Sequence, residues 1–154
     1  MAITSTETKS AAEYSIGERF KGIISLLRFF KRANQLYMVD KFANATDSHT
    51  ALEVIREMES MVLRLKPTSV KIDDEDVKNV CLSKEINEDE VELYRHLGAR
   101  VGKSGGEWVY AVPCPKLPSE EELIDLKNAI DSHELKPSEL AALALAKREK
   151  KRAR

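Results

Sequence analysis

The basic side chains at the end of this sequence are the ones best suited to binding a charged partner. Residues Lys147 to Arg154 carry six positive charges and one negative charge, whereas the whole chain has a formal net charge of −1. The other 146 residues therefore carry about −6, so a local cation follows an acidic body. Clustered lysine and arginine bind polyanions because phosphates release counterions when they are neutralised. The pattern predicts contact with DNA or RNA, or docking on an acidic protein surface.

Two further interpretations of this basic tail stay open, a solvated helix end without a partner and a nuclear-targeting address. A predicted β-hairpin turn adds two cations that a phosphate could reach. The predicted nucleic-acid-binding residues are Lys147, Arg148, Lys150, Lys151, Arg152, Arg154, Arg100 and Lys103.

The tripeptide Gly102-Lys103-Ser104 has the local appearance of a phosphate-binding loop. That motif needs a glycine five residues before its second glycine, and position 97 is Leu. A strand should also precede it and a helix follow, whereas the predicted order here is the reverse. The sequence therefore predicts a plain hairpin turn and no nucleotide cofactor.

The cysteines and histidines are too scattered for a zinc site, because no Cys-x-x-Cys or His-x-x-x-His pair occurs. A nucleophile pair of Cys114 with His96 is conceivable, but a cysteine between prolines is more often a small apolar filler. Two cysteines make no disulfide framework, and a reducing compartment is the simplest interpretation. We expect no metal, no cofactor and no catalytic residue.

Nine acidic residues lie between Asp73 and Glu92. Carboxylate pairs can bind metals or catalyse proton transfer. Here they cluster at two predicted helix starts, where the helix dipole favours negative charge. The sequence therefore predicts capping and a solvated face, with a site for a cation or a basic partner as the alternative.

Apolar spacing predicts a helical hairpin over residues 15–66. The first helix runs from about Ser15 to about Ala43, and the second begins at Thr50 and stops at Pro67. The seam of the first helix repeats at alternating steps of four and three and consists of Ile16, Phe20, Ile23, Leu27, Phe30, Asn34 and Tyr37.

This seam is longer than its partner helix can cover, at roughly 33 Å against about 24 Å from the rise per residue. Asn34 occupies an a-type position, where a buried Asn can fix a coiled-coil dimer, although it could also face a loop within one chain. We expect a homodimer built on the first helix. The predicted self-association residues are Phe20, Ile23, Leu27, Phe30 and Asn34.

Residues 67–116 are predicted to form a small α+β element. A short strand over 69–72 is followed by a short helix that carries Val77 and Val80, a helix from Asn87 to Gly98, and one two-stranded hairpin. This order resembles a winged helix-turn-helix in outline only, with Arg100 and Lys103 on the wing. The acidic second helix would repel DNA phosphates, so the wing or the tail would make the contact.

The predicted fold class is mainly α with a minor α+β part. Its parts are a disordered N-terminus at 1–14, the helical hairpin at 15–66, the α+β element at 67–116 and a C-terminal helical pair with the basic tail at 117–154, in one compact unit. The expected function is a non-enzymatic nucleic-acid-associated accessory or regulatory protein. The alternative is an assembly or adaptor protein that binds another protein through its helices. No apolar run approaches the roughly 20 residues of a membrane span and no signal pattern occurs, so we expect an intracellular protein, cytoplasmic or, in a eukaryote, nuclear.

Overall fold

The computed structural model describes residues 16–146, in which helices pack against one face of a four-stranded antiparallel sheet. After a helical turn at 16–19, the helices are α1 (Lys21–Arg32), α2 (Leu36–Ala43), α3 (Ser48–Leu63), α4 (Val91–His96), α5 (Glu120–Asp131) and α6 (Pro137–Leu145). The strands are β1 (Thr68–Ile72), β2 (Glu75–Glu85), β3 (Arg100–Ser104) and β4 (Glu107–Pro113). Helices hold 53% of the described residues and strands 21%, so the fold is α+β and the mainly α prediction is wrong.

The long first helix of the prediction is in fact two helices, separated by residues 33–35. Asn34 takes a left-handed conformation with a φ of 61°. Its N–H donates to the carbonyl of Lys31 at 3.1 Å, and the N–H of Gln35 donates to the carbonyl of Phe30 at 2.9 Å. These two bonds form the Schellman motif, in which Asn can replace the usual glycine. Asn34 therefore ends a helix within one chain, and the continuous helix over 15–43 is wrong.

The start of α1 is held by α5. The Oε2 atom of Glu122 accepts a hydrogen bond from the N–H of Ile23 at 2.7 Å, in the first helical turn, where N–H groups lack helical partners. The segment just before α5 approaches α1 so closely that a Cβ on Gly22 would lie 2.6 Å from the Cα of Pro118. Burial raises the pKa of Glu122, and the N–H bonds from α1 oppose that rise.

The sheet has the strand order β1-β2-β4-β3 and consists of two hairpins joined through β2 and β4. The β3–β4 hairpin was predicted, with a wider turn. The β1–β2 hairpin was not, because the acidic run at 73–76 is also typical of a helix start. Asp73 and Asp74 instead form the turn with φ values of 51° and 66°, and aspartate is one of the residues that tolerate two successive left-handed positions.

Strand β2 has a β-bulge, which explains the helix-like pattern of its sequence. Between Val77 and Val80, β2 advances three residues while β1 advances two, and Asn79 inside this step is left-handed with a φ of 58°. A second irregularity in the pairing with β4 falls at Cys81. The apolar residues thus recur at helix-like steps of three and four although they lie on a strand.

The β1–β2 hairpin curls over the sheet face that is turned away from the helices. The N–H of Asp73 donates to the carbonyl of Lys103 at 2.8 Å, and the N–H of Lys103 donates to Oδ1 of Asp73 at 2.9 Å, so the hairpin tip is attached to β3. A second small core forms between these layers from Ile72, Val80, Val109 and Ala111.

The winged-helix outline is wrong for the described residues. A hairpin stands where the first helix of such a motif would be, and the helical segment directly before β3 is only a 3₁₀ turn at Glu88–Glu90 followed by the six-residue α4. The local signals around α4 are confirmed: Glu90 accepts from the N–H of Asn87 at 2.9 Å, and Gly98 ends the segment with a φ of 94°.

Candidate functional site

The described part of the chain is acidic. The eight C-terminal residues contribute +5 and residues 1–15 contribute −1, which leaves −5 for residues 16–146. The tail residues predicted to bind nucleic acid and the predicted disordered segment 1–14 lie outside the described residues. A polyanion near the folded body therefore meets net repulsion unless a local cluster of cations compensates.

One such cluster surrounds Trp108 on β4. The Lys103 Nζ lies 4.7 Å from the ring centroid and the Arg95 Cζ lies 5.8 Å from it, both within the range of cation–π attraction. Tyr110, two positions on and on the same face, stacks on Tyr94 of α4 at 4.2 Å. Burial raises the pKa of Tyr110. The structure thus joins the predicted Lys103 to Arg95, which the sequence-based site does not include.

The other predicted wing cation is engaged elsewhere. Arg100 pairs with Glu75 at 2.6 Å on the exposed surface, and Arg95 also pairs with Glu92 at 3.2 Å. Each cation therefore has a carboxylate beside it that would repel a phosphate. No local pattern indicates the Arg100 pair, because Glu75 belongs to the neighbouring hairpin and not to the predicted helix.

The residues predicted for self-association lie inside one chain. Phe20, Ile23 and Leu27 are 0% exposed, Phe30 is 1% exposed, and all four belong to the main core. The apolar seam is covered from within the chain, because α6 packs along both α1 and α2. The part of the apolar seam that was expected to need a second copy of the chain is therefore already covered. Asn34, the remaining residue of the predicted set, is exposed. Self-association stays a prediction, but the buried seam of the first predicted helix does not offer the surface that was expected to form the dimer.

The two cysteines are paired, contrary to expectation. Cys81 on β2 and Cys114 after β4 form a disulfide with their Cα atoms 4.9 Å apart, and the N–H of Cys114 donates to the carbonyl of Asn79 at 2.8 Å. A paired cysteine is no nucleophile, so the conceivable pair with His96 is not formed. The pairing also removes the observation from which a reducing compartment was inferred.

A cavity of about 380 Å³ lies between the α2–α3 and α5–α6 connections, and its lining includes the residue types of a catalytic site. The hydroxyl of Ser48 donates to Oδ1 of Asp131 at 2.6 Å, and Lys127 contacts the other carboxylate oxygen at 2.8 Å. The hydrogen bond from Lys127 has the larger effect and the one from Ser48 the smaller, and both lower the pKa of Asp131, so this carboxylate is a weak base. His133 lines the cavity in a left-handed conformation, and Asp47 caps α3. The polar groups thus join helices, and no activated nucleophile forms among them.

Among residues 16–146, no group of histidine, cysteine and carboxylate side chains has an arrangement that could hold a metal ion. None of the described helices combines the length and apolar character needed to cross a bilayer. No protein-family model matches this chain, and no curated protein is significantly similar to it in sequence.

Proposed function

We propose that this protein is a non-enzymatic, nucleic-acid-associated accessory or regulatory protein that contacts phosphates through its basic tail. The observation that carries the proposal is the charge asymmetry of the chain, with +5 in its last eight residues and −5 in residues 16–146. An acidic body has no electrostatic reason to approach a polyanion, whereas six closely spaced cations do. The tail therefore supplies most of the attraction.

Lys103 and Arg100 add less than the tail in this proposal. Lys103 stands over the Trp108 ring and Arg100 pairs with Glu75, so a phosphate must compete with contacts that already exist. The hydrogen bond between Ser48 and Asp131, at the cavity beside the α2–α3 connection, supports a non-enzymatic role.

Removal of Lys147 to Arg154 tests the proposal directly. The affinity for random-sequence DNA and RNA should fall at least about tenfold, and the slope of log K against log salt should flatten, because each phosphate neutralised in duplex DNA contributes about −0.9 to it. A chain with the same eight residues in shuffled order is the matched control and should keep both affinity and slope. Equal affinity and slope in the truncated chain would remove the nucleic-acid proposal.

A protein-binding adaptor is the second candidate. Leu36 and Tyr37 at the start of α2 are 42% and 59% exposed, and two adjacent exposed apolar side chains can anchor a partner. Such a contact should survive a rise from about 0.05 to 0.5 M salt, whereas a phosphate contact should not. The double substitution Leu36→Ser/Tyr37→Ser should abolish it and leave nucleic-acid affinity unchanged.

A further inference from the structure

A short segment at 114–118 connects β4 to the cap of α5 and has no regular secondary structure. Its sequence is Cys-Pro-Lys-Leu-Pro, and a further proline, Pro113, ends β4. Proline has no N–H group to donate, so few backbone hydrogen bonds can attach a segment of this composition. This segment, the proline strap, is therefore held on the protein by contacts at individual residues.

The far end of the proline strap is attached to α1. The N–H of Lys116 donates to the hydroxyl oxygen of Ser25 at 2.8 Å, Leu117 packs against the main core, and Pro118 is buried beside Gly22. Lys116 is exposed, so water can replace the serine as its partner, and a hydrogen bond of this kind contributes little net stability. The near end of the strap therefore decides whether the strap stays on the sheet.

The near end is attached to β2 through the Cys81–Cys114 disulfide. Cys81 lies at the irregularity in the pairing of β2 with β4, so β4 has no residue directly opposite it. The N–H of Cys114 donates to the carbonyl of Asn79, an exposed residue in a left-handed conformation. The disulfide is thus placed where the backbone pairing of the two strands is interrupted and ends.

Reduction of this disulfide should change the strap and leave the sheet intact. Both cysteines are half-buried and not enclosed in the core, and thiol–disulfide exchange requires that a thiolate can approach one of the two sulfurs. Beyond the irregularity, β2 and β4 stay paired from Leu82 with Val112 to Glu85 with Val109. The main core covers one face of these strands and the second small core covers the other.

We propose that Cys81 and Cys114 form a reversible redox switch, in which the disulfide holds the proline strap on β2 and reduction releases it. A dithiol such as dithiothreitol supplies two electrons and two protons: the S–S bond breaks, two thiols form, and the reductant closes to its cyclic disulfide. Glutathione disulfide reverses the step, because it accepts the two electrons and two protons and becomes two molecules of glutathione while the bond between the cysteines forms again.

The test uses the full chain labelled with ¹⁵N, without denaturant, before and after millimolar dithiothreitol. The backbone order parameters of Lys116 and Leu117 should fall from about 0.85, typical of rigid backbone, to below about 0.6. The order parameter of Ala111, which pairs with Ser83 inside the sheet, should stay near about 0.85. The amide signal of Ser25 should also shift, because it is close to the strap in space and far from both cysteines in sequence.

Chemical labelling measures the redox state in the same samples. Iodoacetamide should modify neither cysteine of the oxidised chain and both cysteines of the reduced one, as read by mass spectrometry. Glutathione disulfide should then restore the original order parameters in a sample that has not been alkylated.

Two variants separate the attachments of the strap. The double substitution Cys81→Ala/Cys114→Ala should have a mobile strap with and without reductant, so it is the matched control for the redox response. Ser25→Ala removes only the acceptor of Lys116. In the oxidised Ser25→Ala chain Cys114 should stay rigid, because the disulfide still holds it.

Each of four results would overturn the proposal. A disulfide that dithiothreitol does not reduce without denaturant would be a permanent crosslink, and cysteines that react with iodoacetamide before reduction would form no disulfide. Order parameters near about 0.85 for Lys116 and Leu117 in the reduced chain would show that the strap needs no disulfide. Loss of order at Ala111 as well would show that the disulfide holds the whole sheet. The basic tail takes no part in these measurements, so their result is independent of the proposed nucleic-acid contact.

Discussion

Substituting alanine for Gly22 should destabilise the protein, although simple helix propensity predicts the opposite. Gly22 lies in the first turn of α1, where an alanine is normally favoured by about 1 kcal/mol. Its added Cβ would lie 2.6 Å from the Cα of Pro118, 2.8 Å from the nitrogen of Pro118 and 2.9 Å from Oε1 of Glu122. The two nearest atoms are proline backbone, so they cannot move aside as a flexible side chain can.

The expected change in unfolding free energy for Gly22→Ala follows from three contributions. Overpacking against a well-ordered neighbour costs about 1–3 kcal/mol, and the short backbone contacts place Gly22 at the upper end. Displacement of the Glu122 carboxylate weakens the cap on Ile23, which costs about 1 kcal/mol more. The gain in helix propensity returns about 1 kcal/mol. The net loss of unfolding free energy is therefore about 3 kcal/mol.

Gly17 is the matched control, because it lies in the helical turn at 16–19 and a Cβ there would meet nothing within 4 Å. Gly17→Ala should leave stability unchanged or raise it by up to about 1 kcal/mol. Urea unfolding followed by circular dichroism at 222 nm measures both variants, and Gly22→Ala should also melt about 6–10 °C below the wild type. If Gly22→Ala is as stable as Gly17→Ala, the close packing of α1 on Pro118, just before α5, is refuted.

Two other perturbations test the described residues. Reduction of the Cys81–Cys114 disulfide, which closes a sequence separation of 33, should lower the unfolding free energy by about 3–4 kcal/mol. The variant with alanine at both positions is the control, and its stability should not respond to reductant. An unchanged urea midpoint of the wild type after reduction would contradict the pairing. Asp125 accepts two hydrogen bonds from Arg19, at 2.7 and 3.1 Å, and these bonds lower the pKa of its carboxyl group below the usual range. The stabilisation by Asp125 is therefore complete near neutral pH and is lost as the pH falls through the lowered pKa. The difference in unfolding free energy between wild type and Asp125→Asn, measured in urea, should be constant near neutral pH and should close in acid.

Sequence patterns located the helices that have strong local signals. The predicted C-terminal helical pair is an example: Ser119 accepts from the N–H of Glu122 at 3.1 Å at the start of α5, and Glu139 accepts from the N–H of Lys136 at 2.9 Å at the start of α6. The start of α3 was less well predicted, because Asp47 and not Thr50 is its cap. Caps depend on residues three apart, so the sequence contains nearly all the information needed to find them.

The errors arose where a left-handed residue interrupts a periodic pattern. Asn34, Asp73 and Asn79 all have positive φ without being glycine, and each lies in a predicted continuing helix or helix start. Asn and Asp enter this region more readily than other residues, but they also occur in helices and caps, so residue type alone does not decide. Tertiary contacts decide here, such as the bonds between Asp73 and Lys103 on a different hairpin.

The basic tail and the apolar cavity lined by Phe30, Met61 and Leu82 differ in how far a sequence can indicate them. The net charge of a short segment is independent of fold, so the basic tail is recognisable from residue types alone. The cavity depends on the fold at two points: the Schellman motif places Gln35, and the irregularity at Cys81 sets the register of Leu82 in the cavity wall. Its residues come from α1, α3 and β2, which no single periodic pattern joins.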